Sequence, residues 1–305
     1  TKPNPDLKWE TTRQWNLGLD LYLLDKRLTF NLDYYEKETF DLLASVPLPT
    51  SSGFSTTTSN IGSIRNRGFE MAANYNLAQG AFQWNLGANL SMNRNKVLKL
   101  SQGADVFGAT LSHPLSLPVN IVREGHPIGV FYGYKEDGLT EEGLIQYVDT
   151  DKSGEINPLD RVIIGDPNPD FIFGLNSSMS YKNFGLKILI NGVQGNDIFN
   201  FNKSNNADGF SFGINQIRDV LGNYWTEENT DPNAKYPRIS QYTRYEVSDR
   251  YVEDGSYIKI QNVELSYTIE KSGAFPYLNG SQVYIGAQNL LTLTNYSWYS
   301  PEVNT

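Results

Sequence analysis

Five residues of one twelve-residue stretch carry oxygens at a spacing suited to a hard cation. Asp149, Asp151 and Ser153 place side-chain oxygens at positions 1, 3 and 5, Glu155 offers its backbone carbonyl at position 7, and Asp160 closes the stretch at position 12. Gly154 stands at position 6, where the chain must turn sharply, and the apolar Ile156 follows at position 8. Calcium takes about six to eight oxygens. The D-x-D-x-S-G-x-I-x-x-x-D pattern of residues 149–160 therefore predicts an EF-hand-like calcium loop with a structural role, pinning a long connection. Two features depart from the pattern. Asp160 is shorter than the glutamate that reaches the ion with both oxygens, and Tyr147-Val148 and Arg161 to Ile164 read as extended chain instead of flanking helices. The plainer alternative is a polar loop rich in turn formers.

No other grouping suggests catalysis. His113 and His126 each stand beside a proline, and no cysteine exists to pair with them or to hold a metal. A P-loop, a dinucleotide fingerprint and a Ser-His-Asp order are all missing, so no enzyme is expected. Glu141-Glu142 and Glu227-Glu228 read as solvated loop charge. Phe131-Tyr132-Gly133-Tyr134, Tyr224-Trp225, Tyr296, Trp298 and Tyr299 could stack on sugar rings or simply pack within loops. The net charge of −9 argues against a nucleic-acid partner.

The elements that would position these residues are strands. Charged residues make up 19% of the 305-residue chain and aromatics 13%, including 19 tyrosines. Such a composition suits long strands with one apolar and one wet face. Apolar residues alternate with mostly polar ones in Trp15 to Tyr22, Leu28 to Tyr35, Phe69 to Asn76, Trp84 to Asn93, Phe173 to Tyr181 and Phe184 to Ile190, and Tyr257 to Thr268 and Val283 to Leu291 complete the set. Several of these eight strands reach the length of about ten residues that crosses a bilayer at a tilt. Short connections around Leu24-Asp25-Lys26, Ala78 to Ala81, Lys182-Asn183 and Lys271-Ser272-Gly273 alternate with long ones at about 41–66, 97–170 and 194–255. Outer-membrane barrels alternate in this way, with short turns inside and long loops outside. The expected fold class is all-β: an antiparallel transmembrane β-barrel, of which about eight long strands are present. A soluble or surface carbohydrate-binding β-sandwich is the competing reading, and Trp9, Tyr34, Tyr35, Tyr75, Trp84 and Tyr181 are candidates for interfacial aromatic girdles. No apolar run is long enough for a membrane helix, which says nothing of a barrel.

Several motifs carry a family resemblance. Asn4-Pro5-Asp6-Leu7-Lys8-Trp9-Glu10 resembles an NPxLKWE signature, and Asp33-Tyr34-Tyr35-Glu36-Lys37 follows it with Asp41-Leu42-Leu43. Val46-Pro47-Leu48-Pro49, Ser52-Gly53-Phe54, Asn60-Ile61-Gly62 with Asn66-Arg67-Gly68-Phe69-Glu70, Gly165-Asp166-Pro167-Asn168-Pro169-Asp170-Phe171, Gly195-Asn196-Asp197-Ile198 and Tyr257 to Val263 continue in order. The set is similar to the SusC/RagA family of TonB-dependent outer-membrane transporters. The resemblance implies a barrel of about 22 strands, of which residues 1–305 would be a C-terminal piece lacking the plug domain and the last strand. It also implies a bacterial outer-membrane location, contact with membrane lipid, a SusD-like lipoprotein, TonB engaged through an N-terminal region, and an oligosaccharide or peptide substrate, in Bacteroidetes-type bacteria.

Overall fold

The computed structural model describes residues 1–100, 103–111, 115, 117–208, 214–228, 230–231, 234–239, 246–270, 276–278 and 280–302. Along the chain run β1 (Thr11–Leu23), β2 (Leu28–Pro47), β3 (Thr56–Gln79) and β4 (Phe82–Leu100). Short strands follow: β5 (Val106–Phe107), β6 (Asn120–Val122), β7 (Val130–Gly133), β8 (Glu136–Leu139), β9 (Ile145–Tyr147) and β10 (Val162–Gly165). Then come β11 (Phe171–Tyr181), β12 (Phe184–Gln194), β13 (Asp197–Phe199), helix α1 (Phe201–Asn206), β14 (Val252–Asp254), β15 (Tyr257–Thr268) and β16 (Gln282–Thr294). The chain divides into two compact units, residues 1–95, 169–196 and 255–296 forming the first, and residues 96–168, 197–254 and 297–305 the second.

The first unit is an eight-stranded sheet in the order β1-β2-β3-β4-β11-β12-β15-β16. β1 with β2, β2 with β3, β4 with β11, β11 with β12, β12 with β15 and β15 with β16 all pair antiparallel. These are the eight strands that alternation predicts. They run 11 to 24 residues, against roughly 5–6 for strands of soluble domains. Register keeps like with like across neighbours. On one face Trp84 pairs with Met179, Met179 with Leu186, Leu186 with Leu265, and Leu265 with Ile285. On the other, Asn85 pairs with Ser178, Ser178 with Lys187, and Lys187 with Glu264. The apolar face is open: Leu17, Leu19, Val283 and Ile285 are all more than half exposed. Aromatic pairs punctuate it, with Trp15–Tyr34, Tyr75–Trp84 and Phe184–Tyr267 centroids 5.4, 6.2 and 4.9 Å apart. Phe173 and Tyr181 share this face eight residues apart, about 27 Å along a strand and about 19–22 Å along the normal at a tilt of about 35–45°, close to the height of a barrel's apolar band.

Two expectations need correction. Residues 41–47 and 56–66, expected within a loop, are strand, so the β2–β3 connection is only 48–55. Their alternation is interrupted by two opposite register shifts, one extra residue on β2 between Thr39 and Leu42 and one on β3 between Gly62 and Asn60, with Asp41 at φ 53°, and in each strand the extra residue reverses the phase of the side chains that follow. Tyr35 belongs to the polar face, opposite Gly68, and is no girdle residue. Trp9 precedes β1 and is 91% exposed. The turn expected at Lys271-Ser272-Gly273 lies outside the described residues.

The second unit has its own core. A four-stranded sheet in the order β10-β7-β6-β5, the hairpin β8–β9 and the pair β13–β14 supply it. Leu115, Val119, Phe131, Val247 and Tyr251 are all nearly inaccessible to solvent and pack together. The long connections thus bury enough apolar surface to fold, which strict alternation does not reveal because their strands are only two to four residues long.

Candidate functional site

The twelve-residue stretch lies between β9 and β10 and ends in the 3-10 turn Pro158–Asp160. The structure brings Asp149, Asp151 and Asp160 together, with one carboxylate oxygen of each within 4.8 Å of the others. Ser153 and Glu155 stand in the same loop, where the Ser153 hydroxyl donates to the Glu155 carbonyl at 3.0 Å. Gly154 has φ +88°, as position 6 requires. The Asp149 carboxylate accepts from the N–H groups of Ser153 and Gly154, and Asp151 accepts from Ser153.

Asp160 does different work. It is fully buried. Its Oδ1 accepts from the Thr150 N–H, the Thr150 hydroxyl and the Asp151 N–H, and its Oδ2 from the Asn157 N–H. A carboxylate offers about four lone-pair sites, so Oδ1 is saturated and Oδ2 alone keeps a lone pair for an ion. The N–H of Asn157, then those of Asp151 and Thr150, hold the Asp160 carboxyl below the ordinary carboxylate range. Asp160 therefore splices the loop's two ends whether or not a cation is present. The next residue, Arg161, donates to the carbonyls of Pro118 and Tyr132 and lies 4.8 Å from the Tyr132 ring centroid, tying the loop to β7.

The remaining candidates separate by burial. Phe131, Tyr132, Tyr134, Trp225 and Tyr296 are buried and serve as packing. Tyr299 is 94% exposed, edge-on to Trp298 at 5.4 Å. The backbone of His126 forms a turn against Arg123 and Val97, whereas His113 lies outside the described residues. Glu141, Glu142, Glu227 and Glu228 are exposed.

A buried ionic cluster in the second unit escaped the sequence reading. Arg250 donates to Asp208 from Nε and Nη2, to Glu136 from Nη1 at 2.8 Å, and to the Lys235 carbonyl. The Tyr251 hydroxyl donates to the other Asp208 oxygen at 2.6 Å. Burial pulls the Arg250 guanidinium down, but Asp208 and Glu136 outweigh it and raise its pKa; burial also raises Glu136 and Tyr251. The partners are spread over more than a hundred positions of sequence, so no spacing announces them.

The motifs of the first unit that carry the family resemblance have structural roles as well. Asn60 exchanges hydrogen bonds with the Lys8 backbone and donates to the carbonyl of Asp41 at the bulge. Gly68 is bare because a Cβ there would lie 2.5 Å from the Tyr35 ring and from the Met92 carbonyl.

The sequence matches the family model of the TonB-dependent receptor-like β-barrel over residues 1–290. TonB-dependent receptor P3 of Formosa agariphila is 37% identical over 322 residues, covering 99% of this chain and 31% of the relative. TonB-dependent receptor SusC of Bacteroides thetaiotaomicron is 30% identical, with 99% and 30% covered. A solved structure of the RagAB peptide transporter superposes with a TM-score of 0.85 at 26% identity, covering 99% of this chain and 33% of that one. The chain spans about a third of the length of these relatives. With the eight-stranded meander, its open apolar face and the matched residues taken together, the chain belongs to the TonB-dependent receptor β-barrel family and is a SusC-like outer-membrane protein.

Proposed function

We propose that this chain forms wall and outer loops of the barrel of an active nutrient importer that takes up oligosaccharides or peptides. The observation that carries the reading is the pair of faces on one meander, apolar and open on one side, amide-rich and polar on the other. A barrel of this kind meets lipid with the first and water with the second. A SusD-like lipoprotein would deliver substrate from outside, and TonB would supply energy through the N-terminal part of the longer protein. The solved relative is a peptide transporter by name, which supports peptide as one of the two substrate classes. The test is uptake of labelled oligosaccharides and peptides by cells lacking the gene. Loss of uptake of one class, with the same loss on removing TonB, is expected; uptake that persists without TonB overturns active import.

A second proposal concerns residues 149–160. The converging carboxylates of Asp149, Asp151 and Asp160, the Glu155 carbonyl and the Ser153 hydroxyl form a donor set of hard oxygens that fits calcium. The ion would offset three like charges and stiffen the loop, a structural role. Because Asp160 is already committed to four donors, it would contribute one oxygen at most. Calorimetric titration with calcium tests it: heat that vanishes in Asp149→Ala supports the site, and no heat dismisses it.

A further inference from the structure

Charge gathers at one level of the lipid-facing side of the meander. Arg65 and Arg67 of β3 continue the phase of Phe69 and Met71, and β2 sets Glu38 and Glu36 opposite them. Arg13 of β1 stands opposite Glu38 from the other side and forms an ion pair with it at 2.7 Å. Arg94 of β4 is held by the Asp170 carboxylate and the Pro169 carbonyl. Arg65 and Arg67 differ. Among the described residues, neither has a hydrogen bond, an ion pair or a ring contact. With Glu38 taken by Arg13, Glu36 is the one carboxylate left opposite the pair, so one positive charge stays unmatched even if Arg67 turns to Glu36. β3 is an interior strand, and both of its neighbours in the wall, β2 and β4, belong to this chain.

The level of the two arginines is fixed by the rings below them. Tyr34 pairs with Phe69, and the Trp15 ring lies 5.4 Å from that of Tyr34. Such aromatics mark the membrane–water boundary of a barrel. Arg67 lies two residues beyond Phe69, about 7 Å along the strand and about 5 Å along the normal at a tilt of about 35–45°. The headgroup layer on each side of a bilayer is about 5–8 Å thick, so Arg67 stands within it and Arg65 at its outer rim. Both lie toward the end where the long connections leave the strands, the extracellular side of a barrel. We propose that Arg65 and Arg67 form a site for the phosphate of an anionic lipid headgroup in the outer leaflet. A guanidinium presents a planar fork of donors that matches phosphate oxygens. Two residues apart on one face of a strand, at about 7 Å, the two forks can close on one phosphate from either side. A phosphodiester carries the single negative charge that the pair leaves unmatched.

The experiment uses the full-length protein in nanodiscs of equal parts phosphatidylcholine and phosphatidylglycerol. Lipid that stays bound after brief detergent washing is counted by native mass spectrometry. The parent is expected to retain phosphatidylglycerol in excess. Arg65→Gln together with Arg67→Gln should lower that excess by about five-fold or more, since one basic residue near an anionic surface contributes about 1 kcal/mol. Lysine at both positions, which keeps the charge and loses the fork, should restore part of it, and Lys187→Gln on the polar face should leave it unchanged. An excess that survives the double glutamine variant overturns the site. So does an equal excess for cholesteryl hemisuccinate, an anion without phosphate, or a double variant that changes the number of protein copies per particle instead of the lipid retained. Lipids brominated on their acyl chains test the face itself: if they leave the tryptophan fluorescence unquenched, the lipid-facing reading fails and the site with it.

Discussion

Replacing Arg250 by methionine keeps an unbranched apolar stem and removes the charged head. In the second unit that leaves Asp208, which is fully buried, with the Tyr251 hydroxyl as its remaining side-chain partner, and leaves Glu136 without its cation. Breaking a buried pair by removing one partner costs about 3–5 kcal/mol, because the abandoned charge stays in a poorly polarisable site. The cluster joins β8, the segment after α1 and the 3-10 turn before β14, so the cost falls on the contacts that hold these together. Three reporters are at hand. The Glu136 N–H donates to Asp249, the Tyr134 N–H to the Val247 carbonyl, and the Asp249 N–H to the Tyr134 carbonyl. At about 1.4 kcal/mol per decade, their hydrogen-exchange protection should fall by roughly two to three and a half orders of magnitude in Arg250→Met. The amides of β11 and β12 in the first unit should not change. Adding Asp208→Asn and Glu136→Gln to the same protein removes the abandoned charges and should restore most of the protection. If the single variant exchanges like the parent, or the triple variant is as loose as the single, the cluster is not held by its charges and the reasoning is wrong.

Three further outcomes follow from other parts of the molecule. Ile188→Arg, on the apolar face, should cost about 2–4 kcal/mol of folding into lipid vesicles, while Leu189→Arg on the opposite face should fold like the parent; gel mobility of unheated protein reads both. The low pKa of Asp160 means that its contribution is fully present above the ordinary carboxylate range and is lost as pH falls through its lowered value. Exchange of the Asn157 and Thr150 amides should therefore stay slow at pH 5 and accelerate only in stronger acid, and Asp160→Asn should abolish that dependence. Gly68→Ala should destabilise by about 1–3 kcal/mol, and Tyr35→Ala should rescue it only in part, since the Met92 carbonyl would still oppose the new methyl; thermal unfolding in detergent separates the two contributions.

The long strands were legible because a lipid-facing sheet needs period two sustained over many residues, and Trp84 to Asn93 or Phe173 to Tyr181 shows nothing else. The short turns at Lys182-Asn183 and within Ala78 to Ala81 were legible for the same reason, as breaks between two alternating runs, although Ala78 and Gln79 still belong to β3. Alternation failed beyond Thr39, where β2 and β3 each carry one extra residue that reverses the phase and a paired strand reads as a loop. It failed again in the second unit, whose two-to-four-residue strands are too short to show a period. The stretch 149–160 was legible as a spacing, and Asp149, Asp151 and Asp160 do converge. The saturation of Asp160 by backbone N–H groups was not, because it depends on how Asn157 and Thr150 fold back. The Arg250 cluster was invisible, since burial of an ion pair is a property of packing and not of local pattern.

The length of the β2–β3 hairpin has a mechanical consequence. Twenty and 24 residues run side by side, far more than a bilayer crossing consumes. Past the bulge at Asp41 the pair continues as a cantilever, and Asn60 splints its knee by bracing the Asp41 carbonyl against the Lys8 backbone. A slack connection would absorb a sideways push at residues 48–55 as lost entropy. A hydrogen-bonded beam instead delivers it to the wall as torque about that knee.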